Sequence, residues 1–475
     1  MKKIFCAFAL VSIAATLTAQ QTEKWTLRKC VDYAVQNNIS VKQADVQARI
    51  AALQVKQAKL YQLPNASFST GIYPQFGRTI DRTTNSFSNT SIVTQNYSVQ
   101  GSIDIFNFGK LKNNIAANTF NAQAALADVE KTANDVALSV ATYYLQVIAS
   151  YQQINITKVQ IAQTQYNLDF TKKKVIAGSL PELNALQFES QLASDSSNFV
   201  TAQTSYNQSI LALKGVLNID ASVAFEVDIP EADKIPLENL TDLQPETVYS
   251  LAINNQPTIK ANHFRIKGAE KSILANKAAM YPSLTGSYQL SSNYANKAQE
   301  VTGYSINNQL VGFANVAGSN YDVYIYSPEY TTKNTNYFKQ LGNNFGQSIG
   351  INLSIPIFNN GTYRINYEQS KLNLQNAKIT EQQIEQKLKL DIYTAYSNAV
   401  NALQKFNASK KQVDLTKKTY DFANKRFEVG LLSSFDLLTS QSNLVRAKTQ
   451  LLSDEYDYVF KMKLLEFYKG QGLKL

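Results

Sequence analysis

The decapeptide Ser348-Ile-Gly-Ile-Asn-Leu-Ser-Ile-Pro-Ile357 alternates along its whole length. Ile349, Ile351, Leu353, Ile355 and Ile357 fall on one side, and Ser348, Gly350, Asn352 and Ser354 on the other. Side chains on an extended chain point to opposite faces in turn, so this is a strand with one apolar and one polar face. About ten such residues also meet the length and pattern of a membrane-crossing barrel strand, apolar toward lipid and polar toward a lumen. A half-buried strand in a soluble sandwich has the same local pattern, so the rest of the chain must decide.

The pattern occurs twice. Tyr97, Val99, Gly101, Ile103 and Ile105 alternate with Ser98, Gln100, Ser102 and Asp104. Each of these strands has a weaker partner upstream, Ala66 to Phe76 in one case and Ser283 to Tyr294 in the other, giving hairpins over 66–106 and 283–358. The flanks repeat as well. Ala34 to Pro64 matches Ala252 to Pro282 at an offset of 218, while Phe106-Asn-Phe-Gly109 and Gly178 match Phe358-Asn-Asn-Gly361 and Gly430 at an offset of 252. Two copies of one plan follow: a first repeat over 20–218, a linker over 219–245, and a second repeat over 246–475. The change in offset marks an insertion in the second repeat, read as a loop over 291–346 that carries Tyr321, Tyr324, Tyr326, Tyr330 and Tyr337. If the strands cross a membrane, this loop is extracellular and partly covers the mouth. Four strands cannot close a barrel, because lipid-exposed edges would leave backbone groups unpaired, so several chains must contribute. The lumen-facing set would be Ser98, Gln100, Ser102, Asp104, Ser348, Asn352 and Ser354.

Long helical segments follow each hairpin. No Pro or Gly occurs between Lys110 and Ala177, and Leu126, Ala133, Val140, Val147, Ile154, Ile161, Leu168 and Val175 recur every seven residues. That is a coiled-coil seam, on a helix roughly 100 Å long at 1.5 Å per residue. Beside it Val129, Val136 and Tyr143 give way to Ser150, Thr157, Thr164 and Thr171, a seam suited to sideways packing in a ring. The helices turn at Gly178 and Gly430, where glycine permits the left-handed cap. Return helices over 182–217 and 435–469 cover about half the rod. A preceding helix such as that over 28–61, stacked end to end on each, supplies the remainder.

Composition agrees with export. The chain has 475 residues, and only 17% are charged, against a usual share of about 25%. Lys2 and Lys3, an apolar run from Ile4 to Leu17 and small residues ending at Ala19 read as a signal peptide over 1–19. That run is too short to span a bilayer. Cys6 lies inside it and Cys30 well beyond it, which disfavours a lipid-anchored cysteine, and a single mature thiol allows no intrachain disulfide. The net charge of +10 is dispersed over helical faces, and with export it argues against a nucleic-acid partner.

The tip sequence Arg426-Phe-Glu-Val-Gly-Leu-Leu-Ser-Ser-Phe-Asp436 resembles the periplasmic turn of the TolC family of outer-membrane efflux proteins. The Pro64 and Pro282 strand starts, the Phe-x-x-Gly motifs ending at Gly109 and Gly361, and the duplicated order resemble that family over essentially the whole mature chain. The resemblance implies a mixed fold, an all-α coiled-coil barrel joined to a transmembrane β-barrel. A homotrimer would contribute four strands per chain to a twelve-stranded barrel in the outer membrane, with helices continuing across the periplasm. It implies a passive duct of a tripartite efflux or type I secretion system, partnered by a periplasmic adaptor and an inner-membrane pump. Adaptors of that family meet the helical tips, which nominates Gly178, Leu180, Gly430, Leu431, Ser433 and Ser434. The family's acidic constriction maps to Asp436, with Thr439 where a second acid can occur and Asn184 at the equivalent place in the first repeat. A purely structural role remains open for these residues, with the glycines as helix caps and Asp436 as a helix N-terminal acid.

No enzyme chemistry or cofactor site is expected. His263 is the sole histidine and sits in a helical stretch with no second ligand to complete a metal site. There is no nucleophile elbow and no phosphate-binding glycine loop. Two other readings stay open: a trimeric coiled-coil surface adhesin, and a soluble periplasmic scaffold.

Overall fold

A computed structural model describes residues 24–81, 86–89, 91–230 and 235–470, so the signal segment read over 1–19 lies outside the described residues. The described residues divide into a helical unit, drawn from 24–52, 120–267 and 375–470, and a strand-bearing unit, drawn from 53–119 and 268–374.

In the helical unit the duplication is kept to the residue. Helices α3 (Lys110–Ile176) and α8 (Thr362–Glu428) each have 67 residues, and the return helices α4 (Glu182–Leu217) and α9 (Ser434–Lys469) each have 36. Every boundary in the second set lies 252 residues after its counterpart. The preceding segment, read as one helix, is two. Helix α1 (Leu27–Asn37) stops at Asn38, whose backbone is extended and whose side chain accepts from the Ser40 N–H at 2.8 Å, starting α2 (Ile39–Leu60). The second repeat breaks at the same place: α5 (Pro245–Asn255) ends at Gln256 and α6 (Pro257–Ala278) begins with a proline, which disfavours helical geometry in the residue before it. The Asn38 amide also donates to the Val216 carbonyl at the end of α4, at 2.9 Å.

Three apolar clusters hold this unit. One gathers Leu27, Cys30, Val140, Tyr144, Ile148, Leu213 and Val227. The Tyr144 hydroxyl donates to the Asp228 carbonyl at 2.6 Å, and Trp25 and Val227 form a parallel bridge, tying the N-terminal segment to the linker. A second joins Leu243, Val248 and Ala252 to Ile392, Ala399, Met462 and Leu465. The third lies under the helix turns. Cys30 is fully buried, and burial pushes its thiol up to about 12. Lys463 and Glu466 form a buried pair at 2.8 Å. Both are spent on the linker, Lys463 donating to the Pro236 carbonyl and Glu466 accepting from the Glu238 N–H.

In the strand-bearing unit, β1 (Ser67–Gln75), β4 (Ile92–Phe106), β5 (Ser283–Ala295) and β8 (Gly346–Ser354) form one antiparallel sheet in the order β1-β4-β5-β8. The two repeats therefore meet through β4 and β5, leaving β1 and β8 as edges. The first loop carries a short hairpin, β2 (Arg78–Asp81) with β3 (Ser86–Asn89). The segment 291–346 is not an irregular loop. After the end of β5, β6 (Gln299–Val316) and β7 (Ser319–Asn334) form a long ribbon, and α7 (Tyr337–Asn343) leads back into β8. No described helix is long and apolar enough to cross a membrane.

Candidate functional site

The sheet separates polar from apolar residues along the middle of all four strands, with Gln95, Ser292 and Gln347 on the apolar side and Ile92 on the polar side as exceptions nearer the ends. Residues paired across a ladder share a face. The register aligns Ser69 with Ser98, Ser98 with Ser291, and Ser291 with Gly346; beside them Gln100 aligns with Gln289 and Gln289 with Ser348. Ser102 meets Ser287, and Asp104 meets Thr285, which pairs with Asn352. Ser98, Gln100, Ser102, Asp104, Ser348, Asn352 and Ser354 thus share one face of the sheet. The opposite face carries Phe68, Ile72, Val99, Ile103, Leu284, Leu290, Ile349, Ile351 and Leu353. In the single chain the outer strands leave these apolar residues bare, Ile349 being 90% exposed and Ile351 68%, while Val99, Ile103 and Leu284 are half-buried. A register shift between Asp104 and Phe106 ends the β4–β5 ladder and sets Phe106 opposite Leu284.

The helix turns are a matched pair. At the first, the Gly178 N–H donates to the Val175 carbonyl and the Ser179 N–H to the Lys174 carbonyl, both at 2.9 Å. At the second, Gly430 donates to Phe427 at 3.0 Å and Leu431 to Arg426 at 2.8 Å. This double closure satisfies the last helical carbonyls and needs a positive φ, which is +70° at Gly178 and +79° at Gly430. Both glycines face open space, so conformation rather than crowding requires them. The turns are joined: the Lys174 ammonium donates to the Glu428 carbonyl at 2.6 Å, and the Ser434 hydroxyl lies 2.5 Å from Gln187 Oε1 and 3.2 Å from Asn184 Oδ1. Beneath them Phe188 and Leu437 are fully buried against Phe427, Tyr420 and Leu168.

The sequence-nominated residues divide between the surface and the interior of this structure. Gly178, Gly430, Leu431, Ser433, Asp436 and Thr439 are exposed; Leu180 is half-buried against the apolar cluster, Asn184 is half-buried, and Ser434 is buried. Sequence reading passed over Ile176, Leu183, Val429 and Phe435, all strongly exposed apolar residues at the turns. Their signal was present as apolar side chains beside a glycine cap with no heptad partner. Asp436 and Ser433 cap one another. The Ser433 hydroxyl accepts from the Asp436 N–H at 3.1 Å, and the Asp436 carboxylate lies 2.7 Å from that hydroxyl. The Thr439 hydroxyl is spent on the Phe435 carbonyl of its own helix.

The polar seam of α3 faces other helices of its own chain. Ser150, Thr157, Thr164 and Thr171 are buried within the helical unit. Ser150 pairs with Ser209 of α4 at 2.8 Å; Thr164 donates to Asp195 of α4 at 2.6 Å and accepts from Gln441 of α9 at 2.9 Å. Asp195 takes a further bond from Gln191 at 2.8 Å. Small hydroxyl side chains allow close helix approach while satisfying buried acceptors. His263 is exposed, 4.0 Å from Glu381.

Comparison with known proteins follows the same division into repeats. The family described as outer membrane efflux protein matches residues 30–218 and 248–468. The chain is 20% identical over 431 residues to the probable outer membrane lipoprotein SilC of Salmonella typhimurium, covering 90% of this chain and 82% of that protein. It is 22% identical over 396 residues to the outer membrane protein TolC of Escherichia coli, covering 82% and 72%. Its fold is similar to that of the CmeC outer membrane channel of Campylobacter jejuni, with a TM-score of 0.71 at 19% identity, covering 94% of this chain and 86% of that one.

Proposed function

The chain belongs to the outer membrane efflux protein family, as an outer-membrane channel component of efflux systems, and from that membership we propose how it is assembled and gated. Three copies join edge to edge, β8 of one against β1 of the next, so that their four-stranded sheets close into a twelve-stranded barrel. Closure gives every strand a partner and removes the two edges, which hydrocarbon would not tolerate. The face bearing Ile349, Ile351 and Leu353 turns to lipid. The face bearing Ser98, Gln100, Ser102, Asp104, Ser348, Asn352 and Ser354 lines the water-filled path. The helices stand in the periplasm, with the turns at Gly178 and Gly430 as the docking surface for a periplasmic adaptor bound to an inner-membrane pump. The capped glycines leave backbone accessible, and the exposed Leu183, Val429, Leu431 and Phe435 supply apolar contact around it. Three copies of Asp436 form a ring of like charge at this end, with Asn184 and Thr439 beside it, favouring cations through a narrow opening. The duct is passive, and the energy for transport comes from the pump.

The observation that carries this reading is the segregation of polar and apolar residues, in register, along the middle of strands from both repeats. Single substitutions Ser98→Cys and Val99→Cys test it in protein reconstituted into lipid vesicles. The thiol introduced at position 98 is expected to react with a water-soluble maleimide, and the one at position 99 with a lipid-soluble maleimide. The reverse order, or equal reaction of both with the water-soluble reagent, overturns the assignment. The adhesin and scaffold readings give way to the family assignment.

A further inference from the structure

The ribbon of β6 and β7 has two unlike faces. The register pairs Tyr304 with Tyr330, Ile306 with Pro328, Asn308 with Tyr326 and Leu310 with Tyr324, and after a bulge Phe313 with Asp322. Following the alternation through that bulge, Tyr304, Ile306, Phe313, Tyr324, Tyr326 and Tyr330 share one face, and all six are exposed. The other face is polar over its half nearest the root, with Glu300, Ser305, Asn307, Gln309, Ser327 and Glu329, and carries Ile325, Val323 and Tyr321 only toward the tip; at its root Glu300 forms an ion pair with Lys339 of α7. The root is fixed further by the Gln340 side chain, which accepts from the Ala295 N–H at 2.9 Å and donates to the Thr335 carbonyl at 2.9 Å. At the far end the strands turn over two residues, Ala317 and Gly318, both at positive φ, the tight hairpin geometry that matches strand twist.

A two-stranded ribbon is only marginally stable in water unless one face is covered. At about 3.3 Å per residue and 4.8 Å between strands, the aromatic face measures roughly 55 Å by 10 Å, on the order of 500 Å². Two such faces in contact bury roughly 1,000 Å², the threshold for a specific protein interface. The aromatic face has no Lys or Arg; the ribbon's one lysine, Lys333, pairs with Glu300 on the opposite face. Its one acid, Asp322, lies near the tip and accepts from the Tyr324 hydroxyl at 3.2 Å. A lipid headgroup phosphate would require cations there. A cation-free surface of tyrosine rings and aliphatic side chains, broken by Asn308 and by the asparagines and Asp322 near the tip, instead suits a copy of itself.

We propose that this face of the β6–β7 ribbon packs against the ribbons of the other copies of this chain, forming an interface separate from the four-stranded sheet. The proposal rests on the multi-copy assembly argued above. Each ribbon turns its tyrosines toward its neighbours, and together they enclose an apolar core over the end of the barrel to which α7 anchors them.

The test uses the full chain with Cys6→Ser, extracted in detergent, where the buried Cys30 leaves an introduced thiol as the reactive one. A bis-maleimide cross-linker applied to Tyr326→Cys is expected to convert most chains to covalently joined pairs on a denaturing gel. Ser327→Cys, one residue along and on the opposite face, is expected to stay uncrosslinked. Tyr304→Cys gives a second position should the first variant fold poorly. Native mass measured on the same samples separates the two claims. A three-chain mass with no cross-link at 326 or 304 leaves the assembly standing and overturns the ribbon interface. Equal cross-linking at 326 and 327 overturns it as well. A single-chain mass overturns the assembly and the ribbon interface together.

Discussion

Placing a charge on one side of β8 and then on the other probes the assignment of its faces. Ile351 lies mid-strand opposite Gly286 on the apolar face; Ser348, three residues away, lies opposite Gln289 on the polar face. An arginine facing lipid near the bilayer midplane costs about 2–4 kcal/mol, whereas one facing a water-filled lumen costs little. Because a closed trimer places three copies of each substitution in one membrane, Ile351→Arg costs about 6–12 kcal/mol per assembly on that scale. That is comparable to the whole stability of a typical domain, about 5–15 kcal/mol, so assembly should fail or be severely depleted. Ser348→Arg should assemble near wild-type levels and change ion selectivity instead. The assay is the yield of folded, heat-modifiable protein in outer-membrane fractions, followed by urea unfolding in lipid vesicles. Equal loss from both substitutions, or greater loss from Ser348→Arg, would refute the assignment of faces.

Four other outcomes are expected. Asp436→Ala should reduce cation selectivity in single-channel recordings while leaving the helix intact, since Ser433 still caps it; selectivity unchanged from wild type would remove the residue from the gate. Phe188→Ala empties a fully buried site beneath the turns and should cost about 3–5 kcal/mol, read by the denaturation midpoint of the helical unit. Thr164→Val removes the 2.6 Å donor to the buried Asp195 and the acceptor of the buried Gln441 amide, a cost of about 1–3 kcal/mol that Thr164→Ser should largely avoid in the same unfolding series. The folded Cys30 thiol titrates near 12 against an ordinary 9.0, because burial disfavours the thiolate. Its contribution to stability is therefore complete below about pH 9 and is lost as pH rises from there toward 12. Maleimide labelling at pH 8 should require unfolding, and a Cys30→Ala variant should show a shallower alkaline decline in stability.

What the sequence revealed depended on how strongly each signal was tied to backbone geometry. The long helices and their turns were legible because Gly178 and Gly430 hold a conformation that few other residues adopt, at equivalent points of two repeats. The four strands were legible because a single shift of register would have moved isoleucines onto the serine face. The break at Asn38 was missed, since an asparagine that caps a second helix looks the same in sequence as one lying within a single helix. The ribbon was missed for a related reason: its turn is Ala317-Gly318 rather than the Asn-Gly that marks such hairpins, and its two bulges interrupt strict alternation. The polar seam of α3 was found, but its partners were not. Sequence spacing shows that Thr164 lies on a face; only packing brings Asp195 and Gln441 to it.

A water-filled path through the outer membrane would show as conductance across a planar lipid bilayer after adding the detergent-extracted wild-type assembly. Discrete, long-lived, cation-preferring steps are expected, their size independent of any small-molecule ligand. A bilayer that stays silent with protein shown to be folded and inserted would contradict it.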